Sequence, residues 1–384
     1  MAVSKKYQHY DQYMLKGKLR FNGFERWRYV FTGVDKNTGS EKSFFIEIYL
    51  VNPLESPKNV VIAQKSRPVV SSEDLQYALA GTISAQAVSD EYVVKPSYAL
   101  VKCGMFGENG KQFNRFSPGS ELVWHKKSQE FTLAGCTFAE DVLTGEVTVH
   151  TSELRDNPEL LCSAGKMSWN LHYERALAAG PFEDSQKLWC PTGSKTVFAG
   201  TVIIDDDEYS VIPKKSFGYV DKSWGTELND PYFHISSSNL TSLISGKQLT
   251  RSSFAVEGDY ADKIRLHVCI EGEEVKLNLR KASQFHECVE APADSDGEEL
   301  HWTVSVTDKK CVVDIDVFCR TRDMYVRDFE IPQGNRTLLK ILSSCSGTGE
   351  IRIYKKDGEN LELLEHAHIA TCLCEFGKTE EVRS

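Results

Sequence analysis

The segment Phe217-Gly218-Tyr219-Val220-Asp221-Lys222-Ser223-Trp224-Gly225 spaces a phenol, a carboxyl and a hydroxyl two residues apart. In an extended strand alternate side chains share a face, so Tyr219, Asp221 and Ser223 point one way and Val220, Lys222 and Trp224 the other. If the first set faces an apolar cavity, burial disfavours the carboxylate and equips Asp221 as a general acid beside the Tyr219 hydroxyl. A proton passed from Asp221 to an alkene creates a carbocation, which aromatic walls can stabilise. Capture by a hydroxyl, by water or by loss of a neighbouring hydrogen then gives cyclisation, hydration or isomerisation. The competing reading pairs Asp221 with Lys222 or a nearby arginine at a barrel mouth.

Other chemistry-bearing groups are weaker. His366-x-His368-x-x-x-Cys372-x-Cys374 sets four zinc-type donors at one parity. On a flat strand such ligands lie over about 10 Å apart, too far for one tetrahedral ion, so no metal is expected. His172 beside Glu174, and His286 beside Glu287, are isolated pairs. The acidic run Asp205-Asp206-Asp207-Glu208 falls between two strand patterns and reads as a hairpin tip. Gly104, Gly107 and Gly110 recur without a helix behind them, and the sequence has no phosphate-binding loop, dinucleotide fingerprint or serine elbow. No cofactor is expected.

The elements that must position Asp221 alternate with period two. Phe44–Val51, Arg265–Ile270, Leu300–Val306, Cys311–Val317 and Glu350–Tyr354 all read as strands, as does the run 196–204. Turn residues separate them at 35–39, 107–110, 205–208 and 356–358. Helical patterning is scarce, with one short helix expected over Ser72–Leu79 and ended by Gly81. Many short strands and few helices predict an all-β, antiparallel chain. At 384 residues it is long enough for two barrels in tandem. The Gly/Pro-rich stretch from Ala178 to Ser194 is the expected seam, giving domains 1–182 and 183–384.

A net charge of −10 argues against nucleic acid or an anionic membrane as partner. No apolar run reaches the length of a membrane-spanning helix, and the polar opening residues lack the pattern of a secretory signal. The expectation is a cytoplasmic protein whose eleven cysteines are buried free thiols. Oligomeric state is left open.

Gly218-Tyr219-x-Asp221-x-x-Trp224-Gly225 resembles the signature of the tocopherol cyclase and carotenoid 1,2-hydratase family. Phe24-Glu25-Arg26-Trp27-Arg28-Tyr29, Ser168-Trp169 and Gly349–Tyr354 are further echoes, spread over nearly the whole chain. The resemblance implies two tandem lipocalin-like barrels and catalysis by Tyr219 and Asp221. It also implies a hydrophobic small-molecule substrate contacted by Trp27, Trp169, Trp224, Phe233, His234 and Asn239. Where cyclases carry Trp-x-Trp-x-Gln-x-Asn, this chain has Phe233, Ile235, Ser237 and Asn239. Tryptophans at such positions are more often core packing than cation cages. Two alternatives to proton-initiated catalysis stand beside it: a non-catalytic lipid or terpenoid carrier, and a pericyclic cyclase that needs no acid.

Overall fold

Strands form where the period-two patterns lie, and each of the four turn clusters closes a hairpin. The computed structural model describes residues 8–65, 76–77, 79–82, 93–126, 130–183, 187–213, 216–259, 263–271, 276–284, 289–290, 298–307, 311–358 and 360–381. Residues 72–75 and 78 of the expected helix, His286, Glu287 and Cys288 lie outside these residues; Gln76, Tyr77 and Leu79 are helical. The chain is all-β, two antiparallel sheets in tandem, each curled on itself.

In the first sheet Lys187–Gly193, Gly218–Gly225, Phe24–Asp35, Asp207–Val211, Lys195–Ile204, Gly165–Leu177 and Val142–Val149 are successive neighbours. Glu41–Val51, Tyr98–Met105 and Lys111–Ser117 extend from the other side of Phe24–Asp35. The second sheet runs from Lys276–Gln284 through Lys263–Glu271, Ser253–Asp259, Tyr232–Ser242, Asn360–Glu381, Thr337–Asp357, Cys311–Arg320 and Glu299–Thr307 to Val289–Glu290. Tyr325–Glu330 also pairs with Thr337–Asp357. The passage between sheets therefore lies at 226–231, not at the seam expected around 182. The Gly/Pro-rich stretch instead marks an irregular strand inside the first sheet, whose register slips between Cys190 and Gly193.

Each sheet curls around its own core. Trp27, Tyr29, Phe31, Ile48, Phe198, Val220 and Trp224 fill the first. Phe233, Ile235, Val256, Trp302, Ile315 and Ile369 fill the second. The opposite faces of the same strands meet in a third layer, with Phe45, Phe106, Trp189, Tyr219, Ala255 and Leu373 at one end and Phe24, Tyr49, Phe329 and Ile341 at the other. A strand can bury both faces only if both lack free charge.

A segment at residues 11–15 straps the first barrel. Trp27 Nε1 donates to the Asp11 carbonyl at 2.9 Å, and Lys222 Nζ donates to the Gln12 carbonyl. The Met14 and Leu15 amides donate to Glu25 at 2.8 and 3.2 Å. Lys222 and Glu25 themselves pair at 2.5 Å inside the barrel. Burial pushes the Glu25 carboxyl up and the Lys222 ammonium down, each partly restored by the other.

Candidate functional site between the two sheets

Strand parity puts the Tyr-x-Asp pair outside the first barrel. Val220 and Trp224 occupy its core and Lys222 joins them there, so Tyr219, Asp221 and Ser223 stand on the outer wall. That wall is covered by the second sheet, and Asp221 is only 2% exposed. Asp221 is thus buried as expected, but in a seam between sheets and not in a barrel lumen.

Arg28 governs the surroundings. Its strand is paired on both sides, which places it in register with Asp221 on one neighbour and with Glu47 on the other. Arg28 Nε donates to Asp221 Oδ1 at 2.9 Å and Nη2 donates to Oδ2, a two-pronged pair. Trp189 Nε1 at 2.9 Å and the Tyr219 hydroxyl at 3.0 Å also donate to Oδ2. Apart from the Tyr219 oxygen, no partner in this set can accept a proton from Asp221. The carboxyl is an acceptor held in place, which differs from a free proton donor and follows the arginine pairing weighed above.

From the second sheet Glu375 accepts from Arg28 Nη1 and from Arg327 Nη2. Arg327 Nη1 lies 2.5 Å from Glu47, Lys187 Nζ 2.5 Å from Glu257, and Lys102 Nζ 2.8 Å from Asp328. With Arg26 the seam holds five cations, Arg26, Arg28, Lys102, Lys187 and Arg327. They face five carboxylates, Glu47, Asp221, Glu257, Asp328 and Glu375, and all ten are buried; a further buried carboxyl, Glu330, has no cation partner among the described residues and its pKa is pushed up to about 7. The balance is what makes so much buried charge tolerable, since an unpaired ion in this medium is strongly disfavoured.

His234 sits at the centre. Arg28 Nη2 lies 3.3 Å from its Nδ1, Ser236 Oγ lies 3.1 Å from its Nε2, and Glu257 is 3.7 Å from Nδ1. Its ring tilts against that of Tyr219 at 5.2 Å between centroids. Burial, reinforced by the Arg28 charge, lowers the His234 pKa and keeps the imidazole neutral. Burial and the Asp221 carboxylate push the Tyr219 phenol well above its ordinary value. Burial would raise Glu257 and Glu375, but Lys187 for the first and Arg28 and Arg327 for the second hold them well below the carboxylate range.

Asp221, His234 and Glu257 bring one ligand atom each within 4.8 Å of one another, a spacing that suits a metal ion. The Arg28 guanidinium occupies that ground: Nη2 bonds Asp221 and lies 3.3 Å from His234 and 3.9 Å from Glu257. A divalent ion would have to displace a cation already paired there, so these residues do not fit a resident metal. The His-x-His…Cys-x-Cys set is divided as well. One extra residue between Ile369 and Cys372, opposite Gly347 to Gly349, flips the strand's parity. His366 is half-buried and His368 exposed, while Cys372 and Cys374 enter the second core.

Of the residues singled out in the sequence, the seam gathers Tyr219, Asp221 and His234. Trp27, Trp169 and Trp224 lie in the first core and Phe233 in the second. Asn239 bonds Thr371 at 3.2 Å beside a register shift. Sequence reasoning missed Arg28, Glu257, Glu375, Arg327, Lys187 and Tyr232. The signal was a lone charge inside an apolar strand, as in Phe45-Ile46-Glu47-Ile48-Tyr49, Ala255-Val256-Glu257 and Leu373-Cys374-Glu375-Phe376.

No protein-family model and no curated protein matches the chain. Among solved structures it is similar to a protein provisionally designated AttH from Nitrosomonas europaea, at 9% identity and a TM-score of 0.39, over 96% of this chain and 97% of that one. It is also similar to kievitone hydratase from Nectria haematococca, at 8% identity and a TM-score of 0.32, over 92% and 89%.

Proposed function

We propose that the protein is a cofactor-independent acid–base enzyme, of hydratase, isomerase or cyclase type, that acts on an unsaturated hydrophobic small molecule at the seam between the sheets. The observation that carries this reading is the neutral His234 imidazole set against the Tyr219–Asp221 pair, wholly buried. Neutral imidazole can take a proton and return it, and the Tyr219 oxygen, its own hydrogen held by Asp221, can accept a hydrogen bond from a substrate hydroxyl or water. Asp221, clamped by Arg28, orients that phenol. The Arg28 charge disfavours a bare carbocation, so a substrate whose double bond is polarised by a carbonyl suits the site better than a plain polyene. Arg26 Nε and Nη1 and Ser223 Oγ add support. They are register partners on adjacent strands, buried, and without a hydrogen-bond partner among the described residues, as groups awaiting a substrate oxygen would be.

A second reading, a non-catalytic carrier, is favoured by a separate observation: an open cavity of about 310 Å³ is lined by none of the charged seam residues, nor by Tyr219 or His234. The two readings separate in heavy water and heavy-oxygen water. Conjugated enones and phenolic alkenes incubated with the protein should gain deuterium or heavy oxygen, read by mass spectrometry. His234→Gln should abolish the exchange and Tyr219→Phe should cut it at least tenfold, with circular dichroism unchanged. Exchange that survives both substitutions, or none with any compound bound, rejects the enzymatic reading.

A further inference from the structure

That 310 Å³ cavity lies beside the Lys111–Ser117 strand, outside the first barrel. Ile62, Phe116 and Leu160 give it apolar walls. Two cations line it as well. Lys65 Nζ donates to the neutral Asn157 Oδ1, and Arg115 is exposed. Among the described residues neither has a carboxylate within ion-pairing distance, in a chain whose net charge is −10. The one acid in the lining, Glu153, accepts the His150 amide at 3.2 Å, and as a carboxylate against two cations it leaves the lining with one net positive charge. Two cations that form no ion pair among the described residues, and that outnumber the one carboxylate of the lining, stand beside an apolar floor and match an amphiphile with an anionic head. The volume is near the lower end of small-molecule sites, which run from about 300 to 1,000 Å³.

We propose that this cavity binds a medium-chain fatty acid, its carboxylate between Lys65 and Arg115 and its chain over Ile62, Phe116 and Leu160. The lining includes none of Tyr219, Asp221 and His234, and binding there does not depend on the chemistry of the seam. Calorimetric titration of the full chain with decanoate, decanol and decyltrimethylammonium tests it. Decanoate should bind one to one, decanol at least tenfold more weakly, and the ammonium compound not at all. Half-exposed ion pairs are individually weak, so Lys65→Gln or Arg115→Gln alone should cost about threefold in decanoate affinity and both together about tenfold, with decanol unaffected. Leu160→Trp should fill the cavity and remove binding of both ligands, with circular dichroism reporting an intact fold. Binding that persists in Tyr219→Phe places the ligand away from the seam. Equal affinities for decanoate and decanol, no binding at millimolar ligand, or indifference to Leu160→Trp overturns the proposal.

Discussion

Single side chains in the seam are held by what surrounds them, so the effect of changing one follows from the partner it strands. Arg28→Met leaves Asp221 and Glu375 each short of a counter-charge and should cost at least about 3–5 kcal/mol in urea unfolding, the range for one buried partner removed. Glu330 carries a pH signature of its own. Burial raises its pKa to about 7, against which the Gln64 amide donates to Oε1 at 2.6 Å. A carboxyl raised on folding contributes stability below its unfolded value, near 4.5, and loses it as pH climbs through 7. At 1.36 kcal/mol per pH unit the loss is about 3 kcal/mol. Glu330→Gln should therefore gain on the parent by about that much between pH 5 and pH 8. Unfolding curves at the two pH values give the difference, and a constant gap between the proteins contradicts it. His234 works in the opposite sense: with its pKa lowered on folding, it erodes stability as pH falls below about 6.5, where the unfolded imidazole charges first.

At the scale of elements, alternation carried most of what was readable. The parity of Gly218–Gly225 was evident from its residues: Val220 and Trp224 share one face, Tyr219 and Asp221 the other. Which face looks inward was not, because both sides of this strand are buried and hydropathy cannot rank two dry faces. The bulge between Ile369 and Cys372 was equally hidden, since a continuous strand and a bulged one read alike until the partner's register is known. The strap at residues 11–15 yields an element-level test. Lys222→Met alone should destabilise by about 3–5 kcal/mol through the uncompensated Glu25, whereas Glu25→Gln with Lys222→Met should recover most of that loss. Equal losses in the single and double variants would sink the pairing argument.

For the whole molecule, the all-β class and the tandem arrangement were legible from strand count and chain length. The division between sheets was not, because Gly and Pro mark a slipped strand within a sheet as readily as a linker. Residues 226–231 connect two bodies whose facing walls hold complementary charge, with cations supplied from both sides, Arg28 to Glu375 and Arg327 to Glu47. Chains 1–228 and 229–384 produced together should assemble one to one, and each alone should aggregate. Size-exclusion chromatography reads the outcome, and two well-behaved monomers would contradict it. Because the contact is buried, raising salt to 1 M should leave the assembly intact.

A strand with one face in a lumen and the other in the seam divides labour along its own backbone. The first core can be re-lined without disturbing the seam: Ile48→Leu, a swap of like volume, should cost under about 1.5 kcal/mol. Neighbouring Glu47, one residue away, faces Arg327 and has no such latitude. Tolerance to mutation in this protein should therefore alternate residue by residue, and a saturation scan along Glu41–Val51 would show it as a zigzag.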